Sequence, residues 1–198
     1  MATGVDLASR RLRDLRATRS AAQLRVLAAA LELFAEHGVS GTSLQMIADE
    51  IGVTKAAVYH QFKTKDEIVL AVAENEFAQL EEALEIAQRE RSRAKARDQL
   101  LVYVIDMAVT RRRWVRALQF DPVMVRLLGS DKALTDVLAQ IYGILIGASS
   151  NAEARVSVAL LGAAMGAAVV HPMVADMDED LLRRELLKVA RRTFDIPA

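Results

Sequence analysis

Apolar residues recur every three or four positions along most of this chain, which is the spacing of one face of an α-helix. The first such run is bounded by two helix signals. Ser20 and Gln23 before the run have the form of a capping box, and Gly38 after it is a stop signal. The run itself comprises Leu24, Leu27, Ala28, Leu31, Phe34 and Ala35. We therefore predict a helix over residues 20–37.

Three further helices follow closely. Thr42 and Gln45 have capping-box form and open a helix that ends at Gly52. Thr54 caps a short helix that ends near residue 62. A third capping box, which begins at Thr64, opens a long helix that ends near residue 90.

The second half of the chain is also predicted to be helical. A polar stretch over 88–98 should separate the long helix from the next one, and Asp121 before Pro122 marks another helix start. The predicted helices cover 98–113, a region broken near Asp121, and then 131–147, 152–171 and 178–194. Because strand-forming residues are nowhere concentrated, the pattern predicts an all-α protein of about nine helices.

The short helix over 54–62 has an uncommon face for a surface helix. At about 100° per residue, Val58 and Phe62 point the same way and can pack on the two preceding helices. The opposite side carries small and weakly charged residues: Ala56, Tyr59, His60 and Lys63, flanked by Lys55 and Ala57. Two short helices joined by a glycine turn have the form of a helix-turn-helix.

Such a face suits DNA. Small side chains let a helix enter the major groove, where an alanine methyl can contact a thymine methyl and Lys55 can reach guanine acceptors. Hydroxyl groups and cations around the helix can bind phosphates. The residues predicted to bind DNA are Thr42, Thr54, Lys55, Ala56, Ala57, Tyr59, His60, Lys63 and Lys65.

Structural interpretations of the same residues compete with this one. Ala56 and Ala57 could pack on another helix, and Tyr59 and His60 could form a surface pair without a partner. A net charge of zero also argues against nucleic acid when taken alone. Its distribution argues the other way, because residues 1–25 hold six arginines against two aspartates, a net charge of +4.

The segment ALELFAEHGVSGTSLQMIADEIGVTKAAVYHQFKTKDEI, residues 30–68, resembles the N-terminal DNA-binding domain of TetR/AcrR-family transcriptional regulators. The stretches FAEHG, GVTK and YHQFKTK carry the resemblance, which extends over residues 20–68. Many members have glycine where this chain has Ala56, so the surface offered to the bases differs. The rest of the chain agrees with the family only in length and in its all-helical pattern.

The resemblance implies a homodimer that binds a palindromic operator in double-stranded DNA, usually as a repressor, and is released by an effector. It divides the chain into a basic N-terminal arm (1–19), a helix-turn-helix domain (20–66) and a ligand-binding and dimerisation domain (67–198). The arm could be a solvated tail, or it could contact DNA.

In the family, the last two helices pair with those of a second copy. The helix over 152–171 is apolar nearly all round and has a face of small residues, and the helix over 178–194 has one apolar stripe. The predicted dimer-interface residues are Gly162, Gly166, Leu182, Leu186 and Val189. An intrachain core is the alternative interpretation.

An effector pocket is expected among the helices between the long helix and the last one. Aromatic and methionine side chains with few charges suit a small apolar or amphipathic effector, although each of them taken alone is more often a plain core residue. The predicted pocket residues are Tyr103, Met107, Trp114, Phe120, Met124, Tyr142 and Met165.

Other classes of protein find less support. The chain has no cysteine and its three histidines lie in separate elements, so we expect no catalytic centre, metal site or cofactor. Without a signal-peptide core or a convincing membrane span, a cytoplasmic location is expected. A DNA-binding architectural or protein-partnered factor without an effector, and an activator, remain alternatives.

Overall fold

The computed structural model describes residues 12–146, 152–193 and 195–196. Every regular element in this part of the chain is helical, as the sequence predicted. The helices, numbered in chain order, are α1 (Ala21–Gly41), α2 (Leu44–Glu50), α3 (Lys55–Gln61), α4 (Lys65–Arg89), α5 (Arg93–Thr110), α6 (Arg112–Phe120), α7 (Pro122–Ser130), α8 (Lys132–Ile146), α9 (Ala152–Val170) and α10 (Glu179–Thr193). Residues 12–17 form a further helical segment, and Pro172–Val174 form a 3₁₀ turn.

Local capping chemistry explains most of these boundaries. The capping box at the start of α1 is present, since the Ser20 hydroxyl accepts from the Gln23 N–H and the Gln23 side chain accepts from the Ser20 N–H. Asp121 caps α7 with Pro122 at its first position, as predicted.

Two predicted boundaries are wrong: the cap of α2 by one residue, and the break before α5 by several residues. The cap of α2 is Ser43 rather than Thr42, because the Ser43 hydroxyl accepts from the Met46 N–H at 3.2 Å. The break predicted over 88–98 is confined to residues 90–92, because Ser92 caps α5 and the charged residues after it continue that helix.

The chain forms two compact units. The first comprises the described residues up to Ala78 together with Arg116–Thr135, and the second comprises Gln79–Val115 and the described residues from Asp136 onward. The boundary therefore lies inside α4, and α7 belongs to the same unit as the N-terminal helices. The sequence predicts the division inside the same long helix, near its start at residue 66.

In the first unit, α1, α2 and α3 contact one another and α7 contacts α1. Their shared interior is apolar and almost fully excluded from water. Its residues include Val26, Leu27, Ala30, Phe34, Ile47, Ala48, Val58, Phe62 and Ile68. This core fixes α3 through one side only and leaves the other side exposed.

The predicted N-terminal arm is partly folded onto this unit. Leu12 is fully buried, and the Arg19 guanidinium pairs with the Glu74 carboxylate and donates to the Ala71 carbonyl. Burial lowers the pKa of Arg19, and the neighbouring Glu74 opposes that shift. Arg19 is therefore engaged inside the protein, whereas residues 1–11 of the arm lie outside the described residues.

In the second unit, α10 packs along α5. Two ion pairs at 2.7 Å, Arg183 with Asp106 and Arg191 with Asp98, join the same two helices. The Arg97 guanidinium also donates to the Leu145 carbonyl at the end of α8. The interior of this unit is built mainly from leucine, isoleucine, valine and alanine.

Candidate nucleic-acid interface

The predicted division of α3 into two sides is confirmed. Val58 is fully buried and Phe62 nearly so, while Lys55, Ala56, Ala57 and His60 are exposed and Tyr59 is 52% exposed. Thr54 begins the helix by accepting from the Ala57 N–H at 3.2 Å. Thr54 is itself exposed, so its hydroxyl stands at the end of the same surface.

The turn before α3 is a Schellman motif. The Val53 N–H donates to the Ala48 carbonyl at 2.9 Å, and the Gly52 N–H donates to the Asp49 carbonyl at 3.2 Å. Gly52 has a φ of 67°, which a residue without a side chain adopts at little cost. The turn therefore fixes the direction in which α3 leaves α2.

Lys63 and Tyr59 are arranged together at the exposed end of α3. The Lys63 ammonium lies 5.2 Å from the centroid of the Tyr59 ring and donates to the Tyr59 carbonyl at 3.3 Å. The Lys63 N–H donates to the Glu67 carboxylate at 2.7 Å. These contacts hold the Tyr59 ring and one positive charge on the same side of the helix.

Two residues of the predicted DNA-binding set have internal roles. Thr42 is only 2% exposed, and its hydroxyl lies 2.8 Å from the Gly38 carbonyl and 3.2 Å from that of Leu33. The Lys65 ammonium donates to the carbonyls of Val39 and Thr42 at 2.9 and 3.1 Å. Thr42 is thus withdrawn from the set, and the first role of Lys65 is to hold the connection between α1 and α2.

Sequence reasoning missed Ser43 because Thr42 and Ser43 both offer a hydroxyl group at a helix start. Thr42 also has a glutamine three residues later, which favours a capping box there. In the structure Ser43 is exposed and lies at the N-terminal end of α2. It occupies the position that had been assigned to Thr42.

The predicted pocket residues do not all belong to one unit. Phe120 is 60% exposed and Met124 is fully buried, and both lie in the first unit. The other five lie in the second unit: Tyr103, Met107, Trp114, Tyr142 and Met165. A groove of about 660 Å³ in the described chain is lined by none of them, but by residues of α10 with Asp195 and Ile196.

Two of these five residues have distinctive polar groups. The indole N–H of Trp114 is buried and has no hydrogen-bond partner within the described residues. The Tyr142 hydroxyl lies against the backbone of Gly162, where a Cβ atom would come within 2.6 Å of it. Burial raises the pKa of Tyr142, so the hydroxyl remains protonated at neutral pH.

The predicted dimer-interface residues divide into buried and exposed sets. Leu182 is 1% exposed, Gly166 is buried and Gly162 faces Tyr142, so all three pack within one copy of the chain. Leu186 is partly buried, whereas Val189 is 48% exposed. Two exposed apolar residues that the sequence did not single out, Val156 and Leu160, lie four residues apart on α9.

Within the described residues, no three histidine, cysteine or acidic side chains are grouped closely enough to hold a metal ion. None of the helices in the same part of the chain combines the length and the apolar character needed to span a bilayer.

Comparison with known sequences identifies the N-terminal region. A family model described as "Bacterial regulatory proteins, tetR family" matches residues 26–72, which run from α1 into α4. The HTH-type transcriptional regulator AcrR of Shigella flexneri is 33% identical over 91 residues, or 44% of this chain and 42% of that protein. The HTH-type transcriptional repressor AcnR of Corynebacterium diphtheriae is 30% identical over 59 residues, or 30% of this chain and 31% of that protein. The chain thus matches less than half the length of these curated relatives.

Solved structures share the fold over most of the chain. A TetR-like transcriptional regulator from Rhodococcus sp. RHA1 has a TM-score of 0.68 and 21% identity, with 89% of this chain and 97% of that chain covered. The transcriptional regulator FadR from Bacillus subtilis, solved in complex with stearoyl-CoA, has a TM-score of 0.63 and 17% identity, with 84% and 96% covered. At these identities the likeness establishes the all-helical fold.

Proposed function

We propose that this chain, a member of the tetR family of bacterial regulatory proteins, is a transcriptional repressor that binds a palindromic operator as a homodimer. The observation that carries the proposal is the two-sided character of α3. Val58 and Phe62 anchor the helix, and the opposite side exposes two small and several cationic or hydroxyl-bearing residues.

The small residues on α3 matter because the fit to DNA is tight. An α-helix with its side chains is about 10–12 Å across, and the major groove is about 12 Å wide. Ala56 and Ala57 let the helix backbone approach the base edges closely. Lys55, at the N-terminal end of α3, is long enough to reach a guanine or a phosphate from there.

The second copy would dock on exposed apolar residues of α9 and α10. Val156 and Leu160 are 58% and 66% exposed, and Val189 on α10 adds a third exposed apolar side chain. The exposed Ala163 and Ala164 continue the small surface of α9. Pairing the same face of two copies about a two-fold axis gives a closed dimer, whose symmetry matches a palindrome.

We further propose that a small apolar or amphipathic effector binds the second unit and releases the DNA. Tyr103, Met107 and Met165 supply adaptable apolar surface, and the unpartnered indole N–H of Trp114 could donate to an acceptor on the ligand. The FadR protein of similar fold was solved with stearoyl-CoA, a molecule with both apolar and polar parts. Native mass spectrometry of the purified protein would reveal a retained molecule of this kind.

DNA selection tests the central claim. From a random pool of DNA duplexes, the wild-type protein should recover a palindrome whose half-sites are about 34–36 Å apart. Recovery of no preferred sequence would refute the proposal.

Two separate lysine substitutions, one on α3 and one in the second unit as its control, test whether α3 faces the DNA. Lys55→Ala should weaken operator binding and reduce the slope of log affinity against log salt concentration by about one. Lys95→Ala removes an exposed lysine from the first turn of α5, in the second unit, and should change neither quantity. Equal effects of the two substitutions would show that α3 does not face the DNA.

A further inference from the structure

Asp121, at the corner between α6 and α7, accepts hydrogen bonds from two separate helices. Its Oδ1 atom accepts from the backbone N–H groups of Val123 and Met124, at 2.9 and 3.3 Å, and so caps α7. Its Oδ2 atom accepts from the N–H groups of Val39 and Ser40, at 2.8 and 3.3 Å. One carboxylate thus joins α7 to the last turn of α1, 82 residues earlier in the chain.

The last turn of α1 needs this acceptor because the helix is broken at Gly38. The backbone there has φ 74° and ψ 163°, so the helical hydrogen-bond pattern stops and restarts at Val39. The first N–H groups after such a break have no acceptor within the helix, and a carboxylate is well suited to them. A Cβ atom at Gly38 would lie 3.3 Å from Oδ2, so glycine also leaves room for the carboxylate.

The position of α2 depends on this same turn. The carbonyls of Val39 and Thr42 accept from Lys65, and the Thr42 hydroxyl donates back toward Gly38. The next residue, Ser43, is the cap from which α2 begins. Residues 38–43 are therefore held by Lys65 from the start of α4 and by Asp121 from the corner of α6 and α7.

The Schellman turn at Gly52 joins α2 to α3, so the position of α2 also determines the position of α3. A second link between α7 and the start of α4, Arg126 with Asp66 at 3.5 Å, is largely exposed and contributes little. The four hydrogen bonds to Asp121 involve a charged acceptor, which makes them stronger than bonds between neutral groups. Asp121 is the stronger of the two connections from α7.

We propose that Asp121 is a positioning residue for DNA binding: it fixes residues 38–43 in the geometry that orients α2 and α3. This inference rests on the proposed function. Withdrawal of the carboxylate would leave the N–H groups of Val39 and Ser40 without their acceptor.

Asparagine substitution tests the double role, because an amide has one acceptor oxygen where a carboxylate has two. Asp131 provides the control. It caps α8 in the same unit through Oδ1 alone, accepting from the N–H groups of Ala133 and Leu134 at 2.8 and 3.1 Å. A single oxygen suffices for that role, and asparagine is a good N-cap residue. At Asp121, in contrast, one of the two helices must lose its acceptor. We expect the asparagine oxygen to stay with the neighbouring N–H groups of Val123 and Met124, as an N-cap does, so that Val39 and Ser40 lose theirs.

Operator affinity is measured by fluorescence anisotropy with the duplex that the wild-type protein selects. Asp121→Asn should weaken operator binding about tenfold, as expected for the loss of a charge-assisted hydrogen bond, with an unchanged salt slope. Asp131→Asn should stay within about twofold of the wild type. Both substitutions remove one negative charge, which by itself would favour DNA, so a selective loss at Asp121 has to be geometric.

Amide hydrogen exchange gives an independent readout without DNA. Exchange at Val39 and Ser40 should accelerate in Asp121→Asn and not in Asp131→Asn. Asp121→Ser, which keeps one capping oxygen for α7, replaces the asparagine variant if that variant folds poorly. Equal operator affinities for the two asparagine variants, or unchanged exchange at Val39 and Ser40, would overturn the inference. Failure of the wild type to select any sequence would instead refute the proposed function.

Discussion

Gly38 and Gly52 both have positive φ, and replacing each by alanine should have clearly different effects on stability. Gly38 lies at φ 74° and ψ 163°, a region that is essentially restricted to glycine and costs other residues about 1–3 kcal/mol. Its new Cβ atom would also press on Asp121 Oδ2 at 3.3 Å and disturb the bond to the Val39 N–H. Alanine recovers about 0.4–1 kcal/mol by restricting the unfolded chain. We expect Gly38→Ala to lower the free energy of unfolding by about 2–3 kcal/mol.

Gly52 provides the comparison because its Cβ position is open, with no atom within 4 Å. Alanine in the left-handed conformation of Gly52 costs about 1–2 kcal/mol, and restricting the unfolded chain offsets part of that cost. We therefore expect Gly52→Ala to lower the free energy of unfolding by about 1 kcal/mol. Urea denaturation followed by circular dichroism at one protein concentration measures both values. If Gly38→Ala proves no more destabilising than Gly52→Ala, the argument for a strained turn occupied by the carboxylate is wrong.

Two further substitutions test the assignments that the structure changed. Thr42→Val should lower the free energy of unfolding by about 1–3 kcal/mol, because its buried hydroxyl hydrogen bond is lost. An unchanged free energy of unfolding would show that this hydroxyl is not held inside the protein and would return Thr42 to the residues predicted to bind DNA. Leu160→Asp should shift the protein toward monomer in sedimentation experiments, whereas Val125→Asp, on a comparably exposed apolar residue of α7, should not. A dimer of undiminished strength in Leu160→Asp would place the interface elsewhere.

The helical fold and the two sides of α3 could be predicted because their determinants are local. The capping box of α1, the cap of α3 and the Asp-Pro start of α7 each lie within four residues of sequence. The burial of Val58 and Phe62 follows from helical spacing alone. Such short-range chemistry does not depend on how distant parts of the chain meet.

The second role of Asp121 could not be predicted for the opposite reason. The sequence shows an aspartate before a proline, which fully accounts for the cap of α7 and signals nothing about α1. Gly38 likewise reads as a helix stop, although the chain resumes a helical turn directly after it. Only the tertiary contact over 82 residues reveals that these two signals belong together.

The contacts within the chain give the small residues of α9 a second interpretation. Gly162 and Gly166 suggested a close approach of two helices, and such an approach does occur at Gly162, but to Tyr142 of the same chain. A hydrophobic pattern does not distinguish packing within one copy from packing between two, since both need apolar contact. Val156 and Leu160 are exposed in one copy, which is why we propose them for the contact between two copies.

Because Thr42 is buried and Lys65 is bound to backbone carbonyls, the proposed base contacts fall to the exposed side of α3. Of the residues there, Tyr59 and Lys63 are bound to each other, which favours a fixed phosphate contact over an adaptable base contact. In the complex that we propose, base discrimination would rest on Lys55 and on how closely Ala56 and Ala57 approach the floor of the major groove. A few close contacts tolerate little displacement, because methyl contacts and hydrogen bonds both weaken steeply over about 1 Å. Such a surface requires α3 to be held in a fixed position. We propose that the hydrogen bonds of Lys65 and Asp121 to residues 38–43 hold it there.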